Sequence, residues 1–125
     1  MASTDQNKAV VRRFMTEGLQ GANLAVLDEL LAPNYVNPAM GGADREAFKG
    51  IVSTMGASLR FTIRELVADG DSVVARFSLE ATRSTGEKLP AEGLTYYRLA
   101  DGKIVEDDPF SRPDLAQLLG MAPPH

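Results

Sequence analysis

Two Asp-Gly turns in the second half of the sequence constrain its fold more than any other feature. Asp69-Gly70 and Asp101-Gly102 each separate two runs that are rich in β-branched and aromatic residues, and a polar connection at residues 84–88 separates the middle two. Asp-Gly is typical of the tight turn between antiparallel strands, because both residues tolerate positive φ angles. We therefore predict four consecutive antiparallel strands, at residues 60–68, 73–82, 89–99 and 103–110.

The first half of the chain has helical periodicity instead. Apolar residues recur at intervals of three and four over residues 4–18, 24–31 and 44–56, which predicts three helices. Residues 33–42 contain two prolines, two asparagines and two glycines, a composition that predicts a loop. Pro113 is placed to open a short last helix at residues 114–119. Helices followed by an antiparallel meander indicate an α+β fold, a curved sheet with the helices packed on one face.

Chain length, composition and charge limit the classes of protein to which this sequence can belong. The chain has 125 residues, 44% of them hydrophobic and 24% charged, which predicts one globular domain over residues 1–125. Seventeen acidic against 13 basic residues, with no run of Lys and Arg, argue against a nucleic-acid partner. No apolar run approaches the roughly 20 residues of a bilayer span, so we expect no membrane insertion. The first residues lack the features of a signal peptide, which predicts a cytoplasmic protein.

The residue types that are missing narrow the chemistry. The chain has no cysteine, and its single histidine is His125, the last residue. We therefore expect no nucleophile–histidine triad and no metal site of the usual zinc type. Acid–base chemistry would have to use carboxylates, tyrosine, lysine or water.

The strand at residues 73–82 has one apolar and one polar face. One parity is wholly apolar, and the other contains Arg76, Ser78 and Glu80. Either the apolar face packs against the helices, or it meets a second subunit while the polar face lines a cavity under the helices. In the next strand Leu94 and Tyr96 share one parity, and a tyrosine there can contact a ligand while its ring packs.

The last strand ends in three consecutive carboxylates, Glu106, Asp107 and Asp108. Because side chains alternate along a strand, only one of the two aspartates can point into the protein without a bulge. An aspartate on an apolar floor would have its pKa raised toward the range of a useful general base. The other interpretation is a solvated strand end, with Arg112 placed to pair with the acidic side chains.

The order of elements, together with the residues GLTYYRLADGKIVEDDPFSRPDLAQLLG at positions 93–120, resembles the SnoaL-like polyketide cyclases of the nuclear transport factor 2-like superfamily. The resemblance covers nearly the whole chain. It implies a cone-shaped α+β fold with three N-terminal helices over the concave face of the sheet and a pocket between the two layers. It also implies a homodimer through the outer face of the sheet, and hence that the polar face of strand 73–82 lines the pocket.

The same resemblance suggests which residues carry chemistry. In the cyclases a strand-end Asp, preceded by His and Trp, removes a proton α to a carbonyl. With one residue deleted, Asp108 falls on that Asp, and Asp108-Pro109-Phe110 resembles the Asp-aromatic-aromatic run of the family. Epoxide hydrolases of the superfamily use a Tyr-x-Asn and an Arg-x-Asp beside the Asp. The segment 35–37 (Tyr-Val-Asn) matches the first motif, and 76–78 (Arg-Phe-Ser) lacks the acid of the second.

The resemblance thus predicts a cofactor-independent cyclase or isomerase that acts on an apolar, polyketide-, steroid- or terpene-like small molecule. A non-catalytic binding protein of the same fold and an epoxide-hydrolase-like enzyme are the alternatives. Asp107 or Asp108 is the expected base. The expected ligand contacts are Tyr35, Asn37, Arg76, Ser78, Leu94, Tyr96 and Phe110.

Overall fold

A computed structural model describes residues 2–55 and 58–113 and shows helices packed on a single six-stranded sheet. The helices are α1 (Thr4–Arg13), α2 (Leu24–Leu30) and α3 (Arg45–Met55). The strands are β1 (Leu31–Asn37), β2 (Ala43–Asp44), β3 (Leu59–Asp69), β4 (Ser72–Thr82), β5 (Lys88–Ala100) and β6 (Lys103–Arg112). The α+β prediction and its four-strand meander are confirmed. The helix predicted at residues 114–119 lies outside the described residues.

The sheet has the strand order β2-β1-β6-β5-β4-β3. Strands β3 to β6 form the antiparallel meander, and β1 joins β6 in parallel. Both Asp-Gly turns place glycine at a positive φ angle, +57° for Gly70 and +76° for Gly102. The turn chemistry therefore sets the meander as predicted. Within the part of the chain that the structure describes, no helix is long and apolar enough to cross a membrane.

Local sequence signals explain the helix ends. The Ser3 hydroxyl accepts a hydrogen bond from the Gln6 backbone N–H, and the Ser3 backbone N–H donates to the Gln6 side chain, which makes a capping box at the start of α1. The chain continues from α1 into a π-helical segment, Phe14–Gln20. The Asn23 side chain accepts from two backbone N–H groups at the start of α2.

The region predicted as a loop at residues 33–42 contains part of a strand, so that prediction was wrong. Strand β1 pairs with β6 at Leu31–Ile104 and at Val36–Glu106, and its register shifts between these pairs. Pro33 lies exposed inside this irregular stretch. A proline is compatible with a strand where no ladder hydrogen bond is needed, as at a bulge. The proline content therefore marked a bulge in β1 rather than a loop.

The core lies between the helices and the apolar face of β4. The inward side chains of β4 are at most 4% exposed and belong to one cluster with Val11, Phe14, Leu27 and Val52 of the helical layer. We call this side of the sheet its inner face and the opposite side its outer face. The expectation that the polar face of β4 lies under the helices was wrong. The apolar parity is there instead, because burying it against the helices removes the larger apolar area from water.

Candidate active site

A buried carboxylate, Asp107, stands on the inner face of β6 and is 3% exposed. It lies opposite Tyr97 of β5, whereas its chain neighbour Asp108 lies opposite Tyr96 on the outer face. Only one aspartate points inward, as strand alternation predicts. The pairing register shifts between Arg98 and Leu99, which leaves one extra residue of β6 as a bulge and decides which tyrosine faces Asp107.

Strand β1 brings a tyrosine and an asparagine to this carboxylate. The Tyr35 hydroxyl donates to Oδ2 of Asp107 at 3.0 Å, and Nδ2 of Asn37 donates to the Tyr35 oxygen at 3.3 Å. Tyr35 and Asn37 are each 1% exposed. Two residues apart along a strand, they share its inner face, and the parallel pairing of β1 with β6 sets them beside Asp107.

Aromatic rings from three further elements surround these polar groups. Phe48 of α3 lies 5.3 Å from the Tyr35 ring, between ring centres, and 6.1 Å from Phe14 of the π-helical segment. The Phe14 ring in turn meets Tyr97 of β5 edge to face at 5.7 Å. All four rings are at most 3% exposed. The carboxylate therefore stands among apolar groups, where charge is poorly solvated.

Burial sets the acidity of the site. It raises the pKa of Asp107 to about 7, partly opposed by the hydrogen bond from Tyr35 and assisted by the negative charge of Asp108. Burial and the Asp107 charge raise the pKa of Tyr35 and of Tyr97, so both phenols keep their protons at neutral pH. A hydrogen bond with Thr95 acts in the opposite sense on Tyr97. The site thus combines one carboxyl group that titrates near neutrality with two phenol donors.

The structure brings together three of the residues predicted from the sequence, namely Asp107, Tyr35 and Asn37. The other six lie on the outer face, so their predicted place in a pocket under the helices was wrong; these are Asp108, Arg76, Ser78, Leu94, Tyr96 and Phe110. Four of the six line an open groove of about 880 Å³ on that outer face: Arg76, Ser78, Leu94 and Phe110. The cause is the facing of β4 and β5, whose apolar parity packs on the helices.

Sequence reasoning did not select Tyr97, Thr95, Phe14 or Phe48 for the site. Counting back from the Asp101-Gly102 turn in regular register would pair Asp107 with Tyr96. The bulge in β6 shifts the partner to Tyr97. Because a bulge of this kind has no strong sequence signal, the turn alone points to the wrong tyrosine. Residues 2–55 and 58–113 contain no cluster of three or more Asp, Glu or His side chains that could hold a metal ion.

This arrangement occurs in a chain whose residues 11–107 match the sequence model of the SnoaL-like domain. The match begins near the end of α1 and ends at Asp107, so it covers α2, α3 and β1 to β5 in full and the first half of β6. The chain belongs to the SnoaL-like family. The nuclear transport factor 2-like fold expected from the resemblance is likewise confirmed by solved structures.

Three of those structures illustrate the likeness. A proposed polyketide cyclase from Acidithiobacillus ferrooxidans has a TM-score of 0.77 at 24% identity, over 96% of this chain and 98% of its own. IdmH, a proposed polyketide cyclase from Streptomyces antibioticus, has a TM-score of 0.74 at 27% identity, over 90% and 98%. An NTF2-like protein of unknown function from Burkholderia pseudomallei has a TM-score of 0.74 at 18% identity, over 95% and 98%. No match was found among curated protein sequences.

Proposed function

We propose that this SnoaL-like protein is a cofactor-independent enzyme of the cyclase or isomerase type, with Asp107 as its general base. The observation that carries the proposal is the buried Asp107 carboxyl group, which accepts a hydrogen bond from Tyr35. Burial raises the pKa of Asp107 to about 7. A base is most effective when its pKa lies near the working pH, because it is then both ionised and basic enough. The likeness to IdmH supports a polyketide-like substrate, and the aromatic surroundings suit steroid- or terpene-like skeletons equally well.

The proposed step is proton abstraction next to a carbonyl group. The ionised Asp107 takes the proton, the C–H bond breaks, and its electron pair moves into the carbonyl system to form an enolate. The enolate carbon then attacks a second carbonyl of the same molecule, which closes a ring and leaves an alkoxide that takes the proton back from Asp107. Alternatively, Asp107 returns the proton to a different carbon of the enolate system, which isomerises the substrate. The Tyr97 hydroxyl is the donor that we assign to the enolate oxygen, since Tyr35 is engaged with Asp107.

A simple ketone tests the base without knowledge of the natural substrate. 2-Tetralone is apolar and has acidic α protons. Their exchange in D₂O is followed by proton NMR, and the rate with protein is compared with the rate in buffer alone. We expect the wild type to accelerate this exchange and Asp107→Asn to reduce the acceleration about 100-fold or more, the usual contribution of a general base. Asp108→Asn is the matched control, because it makes the same change one residue away on the outer face. We expect it to stay within about threefold of wild type.

Two results would overturn the proposal. Equal and small effects of the two substitutions would show that Asp107 is not the base. Exchange at the buffer rate by a wild-type protein that still binds 2-tetralone would favour the alternative, a non-catalytic binding protein of the same fold.

An epoxide-hydrolase-like enzyme is the second candidate, and the contacts of Tyr35 and Asn37 near Asp107 favour it. Arg76 weighs against it, because this residue lies on the outer face, away from Asp107. Hydrolysis of limonene oxide to the diol by a wild type that fails to exchange 2-tetralone would support this candidate over the first.

We also propose a homodimer through the outer face of the sheet. Three large apolar side chains are exposed there, Val67 at 54%, Leu94 at 48% and Phe110 at 63%. Light scattering should give twice the chain mass for the wild type and a single chain mass for Phe110→Glu. Leu24→Glu, an equivalent change on α2, should leave the dimer intact. A monomeric wild type would contradict the proposal. The cytoplasmic location stays a prediction.

A further inference from the structure

The orientation of the Asn37 amide is set by a backbone group. Oδ1 of Asn37 accepts a hydrogen bond of 3.1 Å from the Met40 backbone N–H, in the 3₁₀ turn Pro38–Met40. The backbone carbonyl oxygen of Asn37 accepts a second hydrogen bond, from the Gly42 backbone N–H at 3.0 Å. A backbone N–H can only donate, so Oδ1 must face Met40. The Nδ2 group of Asn37 is therefore left to face Tyr35.

This orientation determines the direction of every following hydrogen bond. Nδ2 of Asn37 can only donate, so the Tyr35 oxygen accepts from it at 3.3 Å. The Tyr35 proton is then directed to Oδ2 of Asp107 at 3.0 Å. All three side chains are at most 3% exposed, so water does not compete strongly for these bonds. The chain of donors runs in one sense, from the turn to the carboxylate.

We propose that Asn37 is a positioning residue, which orients Tyr35 as a donor to Oδ2 of Asp107 and so assigns proton transfer to Oδ1. The part that concerns the substrate rests on the function proposed above. In that step the substrate C–H bond breaks and an O–H bond forms at Oδ1. The electron pair of the C–H bond stays with the substrate as the enolate, and Tyr35 keeps its own proton. Asn37 itself touches no reacting atom in this arrangement.

A titration of Asp107 tests the proposal without any substrate. The full chain is labelled with ¹³C at the aspartate carboxyl carbons, and the Asp107 signal is identified by its loss in Asp107→Asn. In the described residues, the titratable groups that act on Asp107 are Tyr35 of β1, Tyr97 of β5 and the adjacent Asp108. Tyr35→Phe removes a hydrogen bond to a charged group and should raise the pKa by about one unit.

Asn37→Ser is the decisive variant. Serine can still accept from the Met40 N–H as a cap, but its side chain is too short to donate to Tyr35. We expect this variant to raise the Asp107 pKa by about half a unit, and to add nothing when Tyr35→Phe is already present, because Asn37 acts through Tyr35. Asn23→Ser is the matched control, since Asn23 caps α2 in the same way on the surface. It should leave the titration unchanged.

Two outcomes would overturn the proposal. One is an equal shift by Asn37→Ser with and without the Tyr35 hydroxyl, which would indicate a general structural effect. The other is no shift in a variant that keeps the wild-type circular dichroism spectrum. If Asn37→Ser fails to fold, Asn37→Asp replaces it, because its carboxylate accepts from Tyr35 and should raise the pKa further. The 2-tetralone experiment tests separately whether Asp107 is the general base. The role of Asn37 and the role of Asp107 can therefore be contradicted independently.

Discussion

Asp107 and Asp108 are neighbours in the chain and have opposite surroundings. Asp107 is buried on the inner face among aromatic rings and accepts a hydrogen bond from Tyr35. Asp108 is partly exposed on the outer face, beside Tyr96. The two residues are chemically identical, so the difference between them comes from which side of the sheet each one occupies. Burial raises the pKa of Asp107 to about 7, which is why we assign the chemistry to it.

The two faces of the sheet also differ at β5 and β6. Across β5 and β6 the outer face carries the ion pairs Arg98–Glu106 at 3.5 Å and Arg112–Glu92 at 2.7 Å. These side chains are mostly solvent-exposed, and exposed pairs contribute little to stability. Most of the buried side chains on the inner face are apolar, and Asp107 is the only buried carboxylate among the described residues. A charged group that is buried among apolar side chains is therefore a better candidate for function than the exposed ion pairs of the outer face.

The largest expected effect contrasts a phenylalanine from each face. Phe77 is 2% exposed on the inner face and stacks on Phe61 at 5.5 Å, whereas Phe110 is 63% exposed on the outer face. Phe77→Ala should lower the free energy of unfolding by about 3–5 kcal/mol, the usual cost of such a cavity. Phe110→Ala should change it by about 0.5 kcal/mol or less in the monomeric chain. Urea unfolding at low protein concentration, followed by circular dichroism, measures both. Similar costs would contradict the facing of β4.

A comparable effect should appear in the pH dependence of stability. The pKa of Asp107 is raised from 3.8 to about 7 by folding, so the native protein holds a proton that the unfolded chain has lost between these values. The contribution of this group to the free energy of unfolding is therefore highest below about pH 4. It falls by up to about 4 kcal/mol as the pH rises to about 7. Asp107→Asn cannot ionise, so the variant should escape this loss and be more stable than the wild type at pH 8.

The measurement is the difference in unfolding free energy between variant and wild type at several pH values from 5 to 8. For Asp107→Asn this difference should grow from pH 5 to about pH 7 and then level off as Asp107 ionises in the folded wild type. Asp108→Asn, on the outer face, should show a much smaller trend, which comes from its influence on Asp107. A flat difference for Asp107→Asn would mean that Asp107 is not desolvated in the folded protein.

Much of the fold could be predicted because its signals are local. The Asp-Gly turns gave the four-strand meander, and the apolar periodicity gave the start of α2 at residue 24. The alternation of β6 predicted that only one aspartate would point inward. Strand β1 was missed, since its irregular pairing with β6 depends on a strand that is about 70 residues further along the chain. Of the residues predicted for the site, Tyr35, Asn37 and Asp107 lie together on the inner face, whereas the six others lie on the outer face.

The sequence by itself determined the helices, the four strands of the meander, the Asp-Gly turns within it, and which side chains of one strand share a face. These properties follow from backbone geometry and from neighbours within a few residues. The tertiary structure alone decided which face meets the helices, that Tyr97 rather than Tyr96 lies opposite Asp107, and that Tyr35 reaches Oδ2 of Asp107. Strand parity shows which side chains share a face, but it does not show which face packs against the helices. The absolute facing depends on burying the larger apolar area, and hence on contacts between segments far apart in the chain.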